Sequence, residues 1–125
     1  MRALVVDDSK AIRTLLSRML SDLGFDTAQA ADGLEAMAQL RAGLPDVALV
    51  DWNMPNMNGM QLVVAIRHKP AYAGIKLMMV TTESESSQMM RALEAGADEY
   101  VTKPFTRDVI EDKLRILGLP LEQHA

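Results

Sequence analysis

A chain of 125 residues with 49% hydrophobic and 24% charged residues can bury one core, so we expect a single domain spanning 1–125. The absence of cysteine excludes disulfides and thiolate metal sites, and a net charge of −4 argues against nucleic acid as a partner. No apolar run approaches the ~20 residues of a membrane helix, and the acidic pair Asp7 and Asp8 comes too early for a signal peptide, so we expect a cytoplasmic protein.

Short apolar runs alternate with amphipathic stretches along the chain. The runs predict five strands, at 3–6, 27–30, 47–50, 77–80 and 99–101. The second and the fifth of these runs are weak. Because the other three are apolar without alternation, we expect strands that are covered on both faces.

The stretches between the runs predict helices with polar residues at their starts and glycines after their ends. Ser9 can cap the first helix, and Gly24 can end it. A capping-box-like start at Asp32 and Glu35 begins the second helix, which ends at Gly43. The remaining three helices are predicted at 59–67, 86–95 and 106–117.

Repeated strand–helix units predict a doubly wound α/β fold, in which a parallel sheet with right-handed crossovers has helices on both faces. With five units, the common flavodoxin-like strand order is 2-1-3-4-5, and its switch point lies between strands 1 and 3. Asp7 and Asp8 end the first strand and Asp51 ends the third, so this order makes three carboxylates neighbours. Thr81 ends the fourth strand beside Asp51, and Lys103 ends the fifth, one strand further out.

Three carboxylates in one crevice repel each other, at a cost of about 4 kcal/mol per pair at ~4 Å for an effective dielectric constant of about 20. A divalent cation relieves that repulsion, and oxygen ligands suit Mg²⁺, with the backbone carbonyl of Asn53 as a further candidate ligand. Asp51 could then attack phosphorus, while Lys103 neutralises the phosphate and Thr81 donates a hydrogen bond to it. The bond from Lys103 to Pro104 can be cis at modest cost, which would aim the lysine inward.

These residues and their neighbours resemble the receiver domains of two-component response regulators. The matching segments are Val5-Val6-Asp7-Asp8, Asp51-Trp52-Asn53-Met54-Pro55-Asn56-Met57-Asn58-Gly59, Val80-Thr81-Thr82-Glu83, Ala95-Gly96-Ala97 and Lys103-Pro104-Phe105-Thr106. Within that family, the loop from Asp51 to Gly59 is most similar to that of the single-domain chemotaxis regulators. The resemblance implies a signalling switch without an output domain, and not an enzyme.

The resemblance also implies a role for each acidic residue of the cluster. Asp51 would accept a phosphoryl group from the histidine of a sensor kinase. The carboxylates of Asp7, Asp8 and Asp51, together with the backbone carbonyl of Asn53, would bind Mg²⁺.

The resemblance further implies how the phosphate is read. Thr81 and Lys103 would relay phosphorylation to Tyr100, the switch aromatic of the family. A downstream protein would then dock on the face formed by helix 4, strand 5 and helix 5. Hydrolysis of the phosphate, alone or with a phosphatase, would be tuned by three polar residues: Asn53, Thr82 and Glu83.

The chain departs from the chemotaxis pattern at three places. Thr82 replaces a small alanine beside the site, which would restrict the access of water or a phosphatase. Asn58 stands where an aspartate is common, a neutral change of helix cap. The acidic segment Ser84-Glu85-Ser86 replaces a lysine-rich helix start, which makes a flagellar-motor partner less expected.

Other functions fit parts of the pattern. A stand-alone phosphorelay intermediate or a phosphate sink would use the same acceptor. A Mg²⁺-dependent aspartyl-phosphate phosphohydrolase would need a second aspartate two residues after the nucleophile, where this chain has Asn53. A flavin-binding electron carrier of similar topology would need a Ser/Thr/Gly-rich loop after the first strand, where this chain has Asp7-Asp8-Ser9-Lys10.

Overall fold

Strands and helices alternate along the computed structural model, which describes residues 1–82 and 86–121. The strands are β1 (Arg2–Val6), β2 (Asp26–Ala30), β3 (Val47–Asp51), β4 (Lys76–Thr82) and β5 (Glu99–Lys103). The helices are α1 (Lys10–Asp22), α2 (Gly33–Ala42), α3 (Gly59–Arg67), α4 (Ser86–Ala95) and α5 (Arg107–Ile116), and a short 3-10 helix, Pro70–Tyr72, precedes β4. None of the described helices is long and apolar enough to cross a membrane.

All pairings within the described part of the chain are parallel, and the sheet order is β2-β1-β3-β4-β5. This order confirms the predicted flavodoxin-like fold. Val6 of β1 pairs with Val50 of β3, and Asp51 pairs with Val80 of β4. The carboxyl ends of the strands therefore meet at one edge of the sheet, which is where such folds bind ligands.

The sheet is covered on both faces, as the continuous apolar runs predict. Because successive strand residues point to opposite faces, β1 contributes to two cores, with Leu4 in one and Ala3 in the other. The first core packs against α2, α3 and α4, and the second packs against α1 and α5. Helices on both faces hold every strand in place, so the strand ends form a rigid support for the site.

All five strands are longer than the apolar runs that predicted them, by one residue in β1, β2 and β3, by three in β4 and by two in β5. In β4 and β5 the ladder continues through the polar pairs Thr81 with Thr102 and Thr82 with Lys103. Apolar composition stops marking a strand where its side chains reach the polar rim, although the backbone pairing goes on. Thr81 and Lys103 therefore belong to the last two residue pairs between β4 and β5, where the strand pairing fixes their backbones.

Side-chain caps begin four of the helices. Asn58 and Gln61 form a complete capping box at the start of α3. The Asn58 side chain accepts the N–H of Gln61, and the Gln61 side chain accepts the N–H of Asn58. The predicted box of α2 is incomplete, because the Glu35 carboxylate accepts from the N–H of Ala31 and not from that of Asp32. Ser9 and Thr106 cap α1 and α5 in the same simple manner as Asp32 caps α2: a side-chain oxygen accepts a backbone N–H three residues on.

Arg67, at the end of α3, ties together three segments at the edge of the sheet opposite the carboxylates. Its guanidinium donates to the carbonyls of Gly96 at 2.9 Å and Ile75 at 2.7 Å, and to the Asp98 carboxylate at 3.0 Å. The same carboxylate oxygen of Asp98 accepts the N–H of Leu77 at 2.8 Å. One planar donor group therefore bonds a carbonyl directly before β4, a carbonyl shortly before β5 and the carboxylate of Asp98.

We expect Arg67→Lys to lower the free energy of unfolding by about 1–3 kcal/mol, because an ammonium cannot reproduce the fork of donors. Urea denaturation of both proteins measures the difference. The matched control is Arg107→Lys, since Arg107 pairs with Asp22 at 3.0 Å on the exposed surface and should change stability by at most about 0.5 kcal/mol. Equal losses in the two variants would contradict the role of the Arg67 network.

Candidate functional site

Two buried carboxylates lie at the ends of neighbouring strands. Asp7, which is 1% exposed, directly follows β1, and Asp51, which is 7% exposed, is the last residue of β3. Asp8 is exposed at the rim. Each of the three side chains offers a carboxylate oxygen that lies within 4.8 Å of the other two. The structure thus brings together the three carboxylates that the strand order predicts to be neighbours.

Lys103 supplies the positive charge of this cluster. Its ammonium donates to Oδ1 of Asp51 at 3.0 Å and lies 3.4 Å from Oδ2 of Asp7. The peptide bond from Lys103 to Pro104 is cis. Lys103 ends the edge strand β5, and its single ammonium therefore bridges the carboxylates at the ends of β1 and β3.

Burial governs the protonation of the site. Burial raises the pKa of Asp51 to about 6, against the hydrogen bond from Lys103, which lowers it, while the nearby charges of Asp7 and Asp8 raise it further. Burial also lowers the pKa of Lys103, but its bonds and attraction to Asp51 and Asp7 outweigh that effect, so the net direction is upward. At neutral pH the ammonium of Lys103 is charged and Asp51 is ionised, although burial destabilises the ionised form of Asp51.

Backbone contacts fix the orientation of Asp7. Its Oδ1 accepts the N–H of Ser9 at 2.8 Å, and its own N–H donates to the carbonyl of Ala30 at 3.1 Å. The guanidinium of Arg13 donates to the Asp7 carbonyl at 2.7 Å. An aspartate two residues before a helix cap is the sequence signal for the first of these bonds, a local turn closed by the side chain; the contact from Arg13 has no such local signal.

The loop 52–58 follows Asp51 and carries Asn53. Its ends are fixed, since the N–H of Trp52 donates to the carbonyl of Val80 at 3.1 Å and the N–H of Gly59 donates to the carbonyl of Trp52 at 3.0 Å. A side chain at Gly59 would overlap the carbonyl oxygen of Asp51, so only glycine lets α3 begin this close to the strand. The loop that carries Asn53 is therefore anchored at both ends, and it begins directly after Asp51.

The donor set fits a hard divalent cation. Two buried carboxylates and one exposed carboxylate converge, and the backbone carbonyl of Asn53 lies in the adjoining loop. Mg²⁺ binds through one or two carboxylates, retains several waters and leaves positions open for phosphate oxygens. The exposure of Asp8 leaves one side of the cluster open to solvent.

Thr81 lies next to Asp51 across the sheet. It is 1% exposed and follows Val80, the partner of Asp51 in the β3–β4 pairing. Its hydroxyl donates to the carbonyl of Thr82 at 3.3 Å. Thr82, which is half-buried, pairs with Lys103. Glu83, the third residue predicted to affect the phosphate, lies outside the described residues.

Tyr100 lies in β5, three residues before Lys103, and is half-buried. The ammonium of Lys113 on α5 lies 4.8 Å from the centre of its ring and forms a salt bridge of 3.1 Å with Glu99. The Glu99 carboxylate also accepts the N–H of Tyr100 at 2.9 Å. Of the acidic segment before α4, Ser84 and Glu85 lie outside the described residues.

Comparisons with known proteins agree on one family. A family model described as the response regulator receiver domain matches residues 3–115 of the chain. Chemotaxis protein CheY1 of Helicobacter pylori is 40% identical over 119 residues, covering 94% of this chain and 96% of that protein. Chemotaxis protein CheY of Pseudomonas aeruginosa is 40% identical over 115 residues, covering 91% of this chain and 93% of that protein. The solved structure of chemotaxis response regulator CheY4 of Vibrio cholerae has a TM-score of 0.87 and 34% identity, covering 93% of this chain and 97% of that one.

The raised pKa of Asp51 predicts a pH-dependent penalty on stability in the absence of metal. Because the folded state holds the proton more tightly, with a pKa of about 6 against an ordinary 3.8, the free energy of unfolding falls as pH rises through that window. Asp51→Asn removes the charge, so it should stabilise the metal-free protein at pH ~7.5 by about 1–3 kcal/mol. The gain should shrink as the pH is lowered toward ~4, where the wild-type carboxyl is protonated in the folded state and close to half protonated in the unfolded state.

Urea denaturation of both proteins in a chelating buffer, at several pH values, measures this gain. Asp22→Asn is the control, because Asp22 is exposed and forms a salt bridge only with Arg107 among the described residues. A gain for Asp51→Asn that stayed constant over the whole pH range would contradict the assignment of the raised pKa to this carboxyl.

Proposed function

The chain belongs to the response regulator receiver domain family of two-component signalling, and we propose that it is a phosphorylation-activated switch with Asp51 as the phosphoacceptor. The observation that carries the proposal is the buried Asp51 carboxylate at a strand end, beside two further aspartates and bonded to the Lys103 ammonium at 3.0 Å. The names of the two curated relatives, both chemotaxis proteins, support chemotaxis as the pathway. The proposed exchange takes place in the cytoplasm with a sensor histidine kinase.

Asp51 would act as the nucleophile. One of its carboxylate oxygens attacks the phosphorus of a phosphohistidine on the kinase, the phosphorus–nitrogen bond breaks, and the imidazole leaves. The product is an acyl phosphate on Asp51, and later attack by water returns the carboxylate and inorganic phosphate. With a pKa of about 6, Asp51 is mostly ionised at neutral pH, as a nucleophile must be.

We propose that the carboxylates of Asp7, Asp8 and Asp51 bind Mg²⁺ together with the backbone carbonyl of Asn53. The bound ion would offset the negative charge of the carboxylates and of the transferred phosphoryl group. Asp7 is well suited to the role of a ligand, because the N–H of Ser9 fixes its orientation at 2.8 Å. Burial, together with the charges of Asp7 and Asp8, raises the pKa of Asp51, and a bound cation would relieve the repulsion among the three carboxylates.

Lys103 and Thr81 would carry the signal from the phosphate to the surface. The ammonium that now bonds to Asp51 can move to the phosphate oxygens, and the Thr81 hydroxyl can donate a further bond to them. Both residues belong to the β4–β5 pairing, which also holds Tyr100. A change at this pair would alter the face formed by α4, β5 and α5, where we propose that a downstream protein docks.

The lifetime of the phosphate would depend on polar residues around Asp51. We propose that Asn53 and Thr82, with Glu83 outside the described residues, set the access of water or of a phosphatase to the acyl phosphate. A protein that used the same acceptor as a phosphorelay intermediate or a phosphate sink would differ in its partner and not in this chemistry.

The first test follows Trp52, the single tryptophan of the chain, which adjoins Asp51. We expect Mg²⁺ to change its fluorescence, and acetyl phosphate with Mg²⁺ to change it again. Asp51→Asn should abolish the second response, because an amide cannot accept the phosphoryl group. Asp22→Asn, which alters an exposed aspartate paired with Arg107, should retain both responses. A wild-type response to acetyl phosphate in Asp51→Asn would refute the proposed acceptor.

The second test separates phosphorylation from its relay. We expect Lys103→Ala to be phosphorylated by acetyl phosphate, as measured by intact mass, because Asp51 and the Mg²⁺ ligands remain. Phosphorylation should then change amide hydrogen exchange in β5 much less than in wild type, since no ammonium links that strand to the phosphate. Lys76→Ala, at the exposed start of β4, is the control and should behave as wild type. A wild-type exchange response in Lys103→Ala would contradict the relay.

A further inference from the structure

A bond from a neighbouring helix holds the tip of the loop 52–58. The side-chain amide of Asn56 donates to Oδ2 of Asp32 at 2.9 Å. The other oxygen of Asp32, Oδ1, accepts the N–H of Glu35 at 2.9 Å and so caps α2. Asp32 therefore serves two elements at once, with one carboxylate oxygen for each.

The backbone at Asn56 is in an uncommon conformation. Its φ of 67° lies in the left-handed region, and it is the only described residue other than glycine with a positive φ. Asparagine tolerates this region better than most residues, but the conformation persists where surrounding contacts fix it. The bond to Asp32 is such a contact.

A second contact joins the same two segments. The side chain of Met57 packs against Gly33, the first residue of α2, so closely that a Cβ at Gly33 would lie 2.6 Å from Cγ of Met57. Only glycine at the start of α2 leaves room for this methionine. The tip of the loop therefore rests on α2 through one polar and one apolar contact, at successive residues.

We propose that Asp32 and Asn56 are positioning residues, whose mutual hydrogen bond holds the loop 52–58 in the conformation that presents the Asn53 carbonyl to the acidic cluster. The part of this inference that concerns Mg²⁺ rests on the proposed function. The part that concerns the loop rests on the contacts alone.

The helix is a firm support for the loop. Ala36 and Leu40 of α2 are 0% and 2% exposed in the first core, so the N-terminus of this helix is fixed by packing. The hydrogen bonds from Glu35 and Asn56 lower the pKa of Asp32, which keeps the carboxylate ionised and both its oxygens available as acceptors. A loop ordered before binding loses less conformational entropy when a ligand engages it.

The experiment reverses the polarity of the bond. Asn56→Asp tolerates the left-handed backbone but sets one carboxylate against another, so it breaks the contact. Adding Asp32→Asn restores a donor and an acceptor in reversed order, keeps an oxygen to cap α2, and returns the net charge to that of wild type. Gln39→Glu, on the exposed face of α2, adds the same charge as Asn56→Asp without touching the loop.

The first readout is amide hydrogen exchange of residues 53–58 in the metal-free protein. We expect exchange about tenfold faster in Asn56→Asp, as for the loss of one charge-assisted hydrogen bond, and near wild type in the double variant and in Gln39→Glu. Wild-type exchange in Asn56→Asp, or a double variant that exchanges as fast as the single one, would overturn the inference.

The second readout is Mg²⁺ affinity from Trp52 fluorescence. We expect Asn56→Asp to weaken Mg²⁺ binding about three- to tenfold, below the 10–100-fold typical of direct partners of metal ligands, with recovery in the double variant. The added negative charge alone would tighten binding, so weaker binding reports the loop. Unweakened binding in the single variant would overturn the link to the metal. A wild-type protein that does not respond to Mg²⁺ would refute the proposed function, while the exchange readout would still decide on the loop.

Discussion

The repulsion between carboxylates at the ends of β1 and β3 is the constraint on which the rest of the site depends. Asp7 and Asp51 are buried side by side, and a buried charge without a partner costs several kcal/mol. Lys103 offsets only part of that cost, since one ammonium faces three carboxylates and leaves a local charge of about −2 when all are ionised. The site is therefore built to gain when a divalent cation or a proton arrives.

The fold can hold the repelling carboxylates together because helices pack on both faces of the sheet and fix the ends of the strands. The two cores cover both faces of the sheet, so the strands cannot separate to relieve the repulsion. The ladder continues past the apolar runs, and its last pairs hold the backbones of Thr81 and Lys103. A rigid sheet keeps the carboxylates buried and close together, so that burial first, and repulsion second, raise the pKa of Asp51 and favour the binding of a cation.

The features that could be predicted from the sequence are those marked by residues close together along the chain. Apolar runs that end in Asp7 and Asp51 are local, and with the strand order they place the carboxylates together. The bond from Asn56 to Asp32, and the contacts of Arg67 with Gly96 and Asp98, join residues that are 24 to 31 positions apart in loops and helix ends, where no periodic pattern marks a partner. The incomplete capping box of α2 has a different, local cause: Glu35 has the expected residue type, but its carboxylate accepts the N–H of Ala31 in the preceding turn.

The contacts around Tyr100 indicate how strong a signal the proposed switch requires. The ammonium of Lys113 lies 4.8 Å from the centre of the Tyr100 ring, and both residues are half-buried. A cation–π contact contributes from about 0.5 kcal/mol when exposed to about 2 kcal/mol when desolvated. A hydrogen bond from Lys103 to a phosphate would contribute about 1.5–3 kcal/mol, because both partners are charged, but it would replace the charge-assisted bond that the ammonium now donates to Asp51. On the proposed mechanism, the free energy that reaches Tyr100 is therefore the difference between these two bonds, which is smaller than the full strength of the new one. A difference of about 1 kcal/mol shifts populations about fivefold, so the ion pair between Lys113 and Glu99 would set how completely the output face responds.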